Sequence, residues 1–219
     1  MICPFLQFGG DIRSFGMERL METALNTLPR LLASSGEGSW SATVSFLLVA
    51  SASDDGGIRH QASETVAELC VRALAMGNSL QAEDVDALHT RLLSPVLSLA
   101  ISAHSDVQVQ QLETLYQILQ THGLEFRTVW PMVLDVFTQV ADQDLKHSRP
   151  VAQDAATTRL AFQSLQFICT DLLSYLSVGI LHQVIRTLGR FSVQPADVNI
   201  ALTAVGLMCT PCAIFFLFM

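Results

Sequence analysis

Amphipathic segments with a period of 3.6 residues occupy almost the whole of this chain. In the clearest segment, from Asp106 to His122, the apolar side chains recur at helical spacing, at Val109, Leu112, Leu115, Tyr116 and Leu119. This spacing places them on one face of a helix. Because no alternating, β-branched run is long enough to predict a strand, the pattern predicts an all-α fold.

Further segments with the same period predict helices at 12–33, 41–52, 58–77, 84–103, 128–142, 154–174, 177–191 and 196–209. Residues that break or start helices separate them, such as Asp54-Asp55-Gly56-Gly57 and Gln194-Pro195. Gly123 follows the helix that ends at His122, and we expect it to end that helix in the left-handed conformation.

The breaks recur at nearly regular intervals. Four predicted helices begin near an aspartate, at intervals of 51, 48 and 43 residues: Asp55, Asp106, Asp154 and Asp197. An alanine stands seven residues after three of them, at Ala62, Ala161 and Ala204, whereas Glu113 follows Asp106. A period in the forties, with an aspartate at the turn and a small residue where helices cross, is typical of HEAT and armadillo repeats.

The segment from Gly57 to Ala62 also resembles a HEAT turn, in which an arginine such as Arg59 often pairs with the aspartate of a neighbouring repeat. One helical pair cannot bury its apolar face alone, so such units must stack on each other. We therefore predict a HEAT/armadillo-like helical-repeat solenoid over residues 12–208. An N-terminal tail would occupy residues 1–11 and an atypical apolar tail residues 209–219.

The charge of the chain limits its partners. Its net charge is −8, from 20 acidic and 12 basic residues, and Lys146 is its only lysine. Phosphate backbones and anionic lipid headgroups would repel such a chain, so nucleic-acid binding and a polybasic grip on a membrane are disfavoured. Protein partners remain the expected class.

Constellations typical of enzymes are absent from the sequence. The six histidines are dispersed without metal-ligand spacing, at His60, His89, His104, His122, His147 and His182. Glu18 and Glu22 could pair as acid and base but are expected to lie on a solvated face, and Gly36-Glu37-Gly38 is expected to be a linker. Cys209 and Cys212 form a CxxC motif without further zinc ligands or a redox setting. We predict no catalytic, cofactor or metal site.

The cysteines and the N-terminus indicate a reducing compartment. Met1 to Phe8 lacks the basic start of a secretory signal, so a cytoplasmic location is expected. The five cysteines are predicted to be free and buried: Cys3, Cys70, Cys169, Cys209 and Cys212.

The C-terminal segment leaves an alternative open. No charged residue occurs from Val198 to Met219, a length that can span a bilayer. Asn199, Thr203 and Pro211 interrupt the apolar run. A tail-anchored helical membrane protein therefore stays an alternative interpretation.

Five segments, in order, resemble one known family. They are Phe15–Leu25, Leu93–Leu97 with Val109–Gln120, Trp130–Leu134, Arg159–Phe167 with Thr170-Asp171, and Asp197–Leu207. The series is similar to the middle of the Mon-two family, large endosome–Golgi trafficking scaffolds related to the big Arf guanine-nucleotide exchange factors. The resemblance extends over about residues 12–208.

What this resemblance implies is a scaffold of helical repeats without the exchange domain of its relatives. Dopey-type proteins and Arf-like small GTPases would be its partners, and it would associate peripherally with trans-Golgi and endosomal membranes. The regulatory helical region of a large Arf exchange factor remains an alternative. After Gly206-Leu207 the chain departs from the family, which continues with Trp-Asn, and Ser34–Ser39 replaces a more apolar connection. We therefore expect a fragment.

Overall fold

The computed structural model describes residues 9–33, 37–77, 84–146, 152–195 and 197–217. These residues contain α-helices and short 3₁₀ or π turns, and no strand is found among them. The α-helices are α1 (Gly9–Asn26), α2 (Leu28–Leu32), α3 (Glu37–Ala50), α4 (Gly56–Gly77), α5 (Val85–Leu99), α6 (Ser105–His122), α7 (Trp130–Lys146), α8 (Ala152–Phe167), α9 (Val178–Ser192) and α10 (Val198–Leu217). The predicted all-α fold of HEAT-like repeats is confirmed.

The chain divides into two compact units, residues 1–110 and residues 111–219. In the first unit α4 packs against α1, α3 and α5. In the second, α9 packs against α7 and α10, and α8 packs against α7. Each unit thus buries its apolar stripes between neighbouring helices, as stacked helical pairs must.

The helix predicted at 12–33 is two helices. α1 ends at Asn26 and α2 begins at Leu28. Pro29 lies in the first turn of α2 and lacks the N–H that a continuous helix would donate to the carbonyl four residues earlier. The proline therefore ends one helix and starts the next.

Two other details of the prediction are wrong. α3 begins at Glu37, so Glu37 and Gly38 are helical and not part of a linker. Gly123 does not have a positive φ and instead begins a 3₁₀ turn, Gly123–Glu125. A Cβ atom at this buried glycine would lie 2.7 Å from Cδ1 of Leu172. Close packing, and not a left-handed conformation, accounts for the glycine.

The repeat is visible in the buried positions of three helices. Ala62 in α4, Gln111 in α6 and Ala161 in α8 are all fully buried, 49 and 50 residues apart. Val66, Leu115 and Leu165, four residues further along each helix, are also buried.

Gln111 therefore occupies the position of the crossing alanine in α6, whereas the sequence spacing from Asp106 predicts Glu113 there. In α10 the corresponding residue is Ala204, which is fully buried.

The aspartates do not occupy one equivalent position. Asp55 precedes α4, and its Oδ1 accepts hydrogen bonds from the backbone N–H groups of Gly57 (3.0 Å) and Ile58 (3.3 Å). Asp197 precedes α10 and caps it in the same way through Asn199 (2.9 Å). Asp106 lies inside the first turn of α6.

Asp106 joins two repeats through Arg59. The Arg59 guanidinium donates from Nε (3.0 Å) and Nη2 (2.9 Å) to Oδ2 of Asp106, and from Nη1 to the Ser53 carbonyl (2.8 Å). The predicted pairing of Arg59 with the aspartate of a neighbouring repeat is confirmed. In the second unit, Nε of Arg159 lies 3.7 Å from Oδ2 of Asp197.

The charge of Arg59 alters the titration of Asp106. Partial burial raises the pKa of Asp106, but the hydrogen bond from Arg59, the backbone N–H of Val107 and the positive charge of Arg59 together lower it below the ordinary value of an aspartate. Because the folded pKa is depressed, the stabilisation is present above the unfolded pKa and is lost as the pH falls through the folded pKa.

We expect Arg59→Met to lower the free energy of unfolding by about 1–2 kcal/mol at about pH 7, because hydrogen bonds to a charged group are lost. The difference from the unchanged protein should narrow in acid, as the pH falls through the lowered pKa of Asp106. Urea denaturation at neutral and at acid pH measures the free energy of unfolding of both proteins. Arg72→Met is the control, since Arg72 forms only an exposed pair with Glu68 and should cost less than about 0.5 kcal/mol. An equal loss at both pH values would contradict the assignment.

Candidate protein-binding surfaces

Several of the residues that the sequence singled out for chemistry are exposed. Glu18 and Glu22 are exposed on α1, as predicted, and Glu22 pairs with Arg19 at 2.6 Å. His60 and His182 are exposed and His89 is buried, while His147 lies outside the described residues. In the part of the chain that the structure describes, no group of three His, Cys, Asp or Glu side chains could hold a metal ion.

The cysteines differ in their surroundings. Cys70 in α4 and Cys169 in the π turn that follows α8 (Ile168–Leu172) are both buried, and burial raises the pKa of each thiol to about 12. Cys209 is exposed, so the prediction that it is buried is wrong. Its helix turns this position outwards. Cys3 lies outside the described residues, as does the side chain of Cys212.

These surroundings predict different rates of alkylation. With iodoacetamide at about pH 8, Cys209 should react at least about tenfold faster than Cys70 and Cys169, because only exposed thiols form an accessible thiolate. Site-resolved mass spectrometry of the native protein measures the three rates. Denatured protein is the control, in which all three should react alike. Equal rates in the native protein would contradict the burial of Cys70 and Cys169.

An apolar groove opens in the first unit between α1, α3 and the start of α4. Its volume is about 480 Å³, and its lining comprises Gly16, Met17, Leu20, Phe46, Ala50 and Ile58. Phe46 and Val49 on α3 are each more than half exposed, and Phe15 on α1 is exposed as well. An uncharged groove with an exposed aromatic side chain is typical of a surface that receives apolar side chains of a partner protein.

A more polar groove lies between α3 and α5. Its volume is about 470 Å³, and its lining comprises Trp40, Ser41, Val44, Ser45, Leu48, Arg91, Ser94, Pro95 and Ser98. The serine side chains that line it are short, which leaves space between the two helices.

In the second unit, hydrogen bonds made by side chains join α7 and α9. The Thr138 and Thr187 hydroxyls are hydrogen-bonded at 3.0 Å, and the Gln183 amide donates to the Pro131 carbonyl at 3.1 Å.

The outer face of α10 is a third candidate surface, and it is apolar. Val198, Leu202 and Val205 are exposed on it, whereas Ile200 and Ala204 are buried. The α10 backbone is helical from Val198 to Leu217, so it continues past residue 209, where the sequence predicts that the apolar tail begins. The division of the chain into a solenoid and a tail stays a prediction. Among the helices of the described ranges, none is both long enough and apolar enough to cross a membrane.

Sequence reasoning missed the apolar groove. Trp40, Val44 and Leu47 form the buried stripe of α3, and Phe46 and Val49 lie off that stripe. α3 carries more apolar residues than one face of a helix can bury, and this excess was the signal in the sequence that could have indicated the groove.

Comparison with known proteins gives relatives over most of the chain. The chain is 30% identical to the Protein MON2 homolog of Drosophila melanogaster over 194 residues, which are 89% of the chain. The same share of the chain is 28% identical to the Protein MON2 homolog of Xenopus laevis and 27% identical to that of Homo sapiens. The chain is related to the Mon-two family.

This relationship confirms the family resemblance seen in the sequence. The chain spans about one tenth of the length of these Mon-two relatives. No family model matches the chain. No solved structure matches it.

Proposed function

We propose that this chain is a non-catalytic helical scaffold segment that binds protein partners in endosome-to-Golgi trafficking. The observation that carries the proposal is the similarity to Mon-two relatives over 89% of the chain. The relatives reported above are named as Mon2 homologs, which favours this function over that of a regulatory region of an Arf exchange factor.

By the same resemblance, the partners are Dopey-type proteins and Arf-like small GTPases, and the location is cytoplasmic, peripheral to trans-Golgi and endosomal membranes. Two features of the described residues support protein binding. The groove of the first unit is apolar, with Phe46 and Val49 exposed beside it. The chain is also acidic, which disfavours nucleic acid as a ligand.

Proximity labelling in cells tests the proposal. The chain, fused to a labelling enzyme, should enrich Dopey-type proteins and proteins of the trans-Golgi and endosomes over a fusion of the enzyme alone. Labelling without these proteins would contradict the trafficking function.

A pair of variants tests the groove. Phe46→Glu places a charge where an apolar partner side chain would lie, and it should reduce labelling of the partners by at least about tenfold. Val85→Glu is the control, because Val85 is also exposed but lies at the start of α5, outside the groove lining. Equal labelling by both variants would show that the groove is not the binding surface.

A further inference from the structure

The apolar groove of the first unit limits the backbone structure of whatever binds in it. None of the side chains that line the groove donates a hydrogen bond. Backbone groups at the end of the groove already have partners within the chain. The Ala50 carbonyl accepts from the Ser53 N–H (3.1 Å), and the Ile58 N–H donates to Oδ1 of Asp55 (3.3 Å).

An extended peptide in this groove would lose the hydration of its own backbone N–H and C=O groups and find no partner for them, which is costly. A helix satisfies its backbone groups internally and presents only side chains. Gly16 and Leu20 on α1 are one helical turn apart, as are Phe46 and Ala50 on α3. A groove bordered in this way by two helices fits the apolar face of a third helix.

Acidic side chains lie at one end of the groove. The lining includes the last residue of α3 and the third residue of α4, so the segment that joins these helices borders the groove. Asp54 and Asp55 in this segment are exposed. Arg59 does not neutralise them, because its guanidinium is paired with the carboxylate of Asp106. This end of the groove therefore attracts positive charge.

The charges described on α1 have the same balance. Glu18, Arg19 and Glu22 are exposed and lie within two residues of Leu20, which lines the groove. Arg19 pairs with Glu22 at 2.6 Å, which leaves Glu18 as the excess charge. α3 carries no charged residue from Gly38 to Ala50. The described surroundings of the groove are thus apolar in the groove and acidic around it.

We propose that the apolar groove binds an amphipathic helix of a partner protein, in which lysine or arginine side chains flank the apolar face. The apolar face fills the groove, and the basic side chains lie near Asp54, Asp55 and Glu18. A second copy of this chain has the same net charge of −8 and does not provide this complementarity. The inference rests on the part of the proposed function that makes the groove a protein-binding surface, and it does not depend on the trafficking pathway.

Fluorescence anisotropy of the whole chain with three labelled synthetic peptides tests the chemistry of the partner. The first peptide has leucine and lysine at helical spacing, and the second has glutamate in place of lysine. The third has the composition of the first, but leucine and lysine alternate as in a strand. The first peptide should bind at least about tenfold more tightly than either of the others.

A glycine that lines the groove allows a variant that blocks it without disturbing the fold. A Cβ atom at Gly16 would meet no atom within 4 Å, so Gly16→Leu extends into free space. Leucine also favours a helix more than glycine does. The variant should bind the first peptide at least about tenfold more weakly, because its side chain takes the place of the partner's apolar residues.

Gly179→Leu is the matched control. Gly179 lies in α9 of the second unit, and a Cβ atom there also meets no atom within 4 Å. This variant should bind the first peptide as the unchanged protein does. Circular dichroism of both variants, with melting temperatures no lower than that of the unchanged protein, establishes that they fold.

A second pair of variants tests the charge. Asp54→Asn should weaken binding of the first peptide by about two- to fourfold at low salt, the size expected for one exposed ion pair. Glu113→Gln removes the same charge from an exposed position of α6 in the second unit and should have a smaller effect. Equal effects of the two variants would show that the acidic end of the groove does not contact the peptide.

Three further results would overturn the proposal. Equal binding by Gly16→Leu and Gly179→Leu would place the peptide outside the groove. Equal binding of the three peptides would show that neither a helix nor a basic charge is selected. Self-association of the unchanged protein that Gly16→Leu abolishes would assign the groove to a second copy. Proximity labelling tests the trafficking function separately, since its outcome does not depend on these peptides.

Discussion

Leu115→Asp is expected to unfold the unit of residues 111–219 or to lower its free energy of unfolding by more than about 4 kcal/mol. Leu115 is fully buried on the inner stripe of α6. The substitution removes an apolar side chain from the core and leaves a carboxylate where water cannot solvate it. Because native domains are stable by only about 5–15 kcal/mol, such a loss is a large part of the total.

Thermal and urea denaturation, followed by far-ultraviolet circular dichroism, measure this effect. Gln117→Asp is the control, because it introduces the same charge at an exposed position two residues further along α6. It should cost less than about 1 kcal/mol, from helix propensity and its place near the end of the helix. A Leu115→Asp protein as stable as the Gln117→Asp protein would show that α6 does not bury this face.

Phe191→Ala is expected to lower the free energy of unfolding by about 3–5 kcal/mol. The Phe191 ring is fully buried at the end of α9, and its centroid lies 5.4 Å from that of Phe162 on α8. Truncation leaves a cavity between α8 and α9 and removes the contact of the two rings, which is worth about 0.5–1.5 kcal/mol beyond the buried area.

Urea denaturation at one pH is sufficient to measure this loss. Tyr175→Ala is the matched control, because it removes another aromatic side chain from the same unit, one that is largely exposed. It should cost less than about 0.5 kcal/mol. If the two variants lost the same free energy, the Phe191 ring would not belong to the core.

The helices themselves were predictable from the sequence because their apolar residues recur at the helical period. The stripe from Val109 to Leu119 predicts α6 to within a residue at each end. Local chemistry near helix ends was harder to predict. Pro29 divides one predicted helix into α1 and α2, and the reason for Gly123 lies in Leu172, a residue 49 positions away in the chain.

The register of the repeat was only partly predictable. An aspartate at a helix start has two uses, which the sequence does not distinguish. Asp55 caps the backbone of its own helix, Asp106 pairs with Arg59 of another repeat, and Asp197 does both, since it also pairs with Arg159. Counting from Asp106 misplaces the buried position of α6 by two residues, from Gln111 to Glu113.

The candidate surfaces could not be located from the sequence. Exposure of an apolar residue depends on which helices lie beside its own, and those neighbours are distant in the chain. Phe46 and Leu47 are adjacent in α3, yet Leu47 is fully buried and Phe46 lines a groove.

The sequence by itself determined the helical class, the period of the repeat and the resemblance to the Mon-two family, because periodicity and residue identity are properties of the chain alone. The tertiary structure alone decided which apolar side chains stay exposed, as Val205 does while Ala204 beside it is buried. The physical reason is that burial is a property of two packed surfaces, and a single helix specifies only one of them.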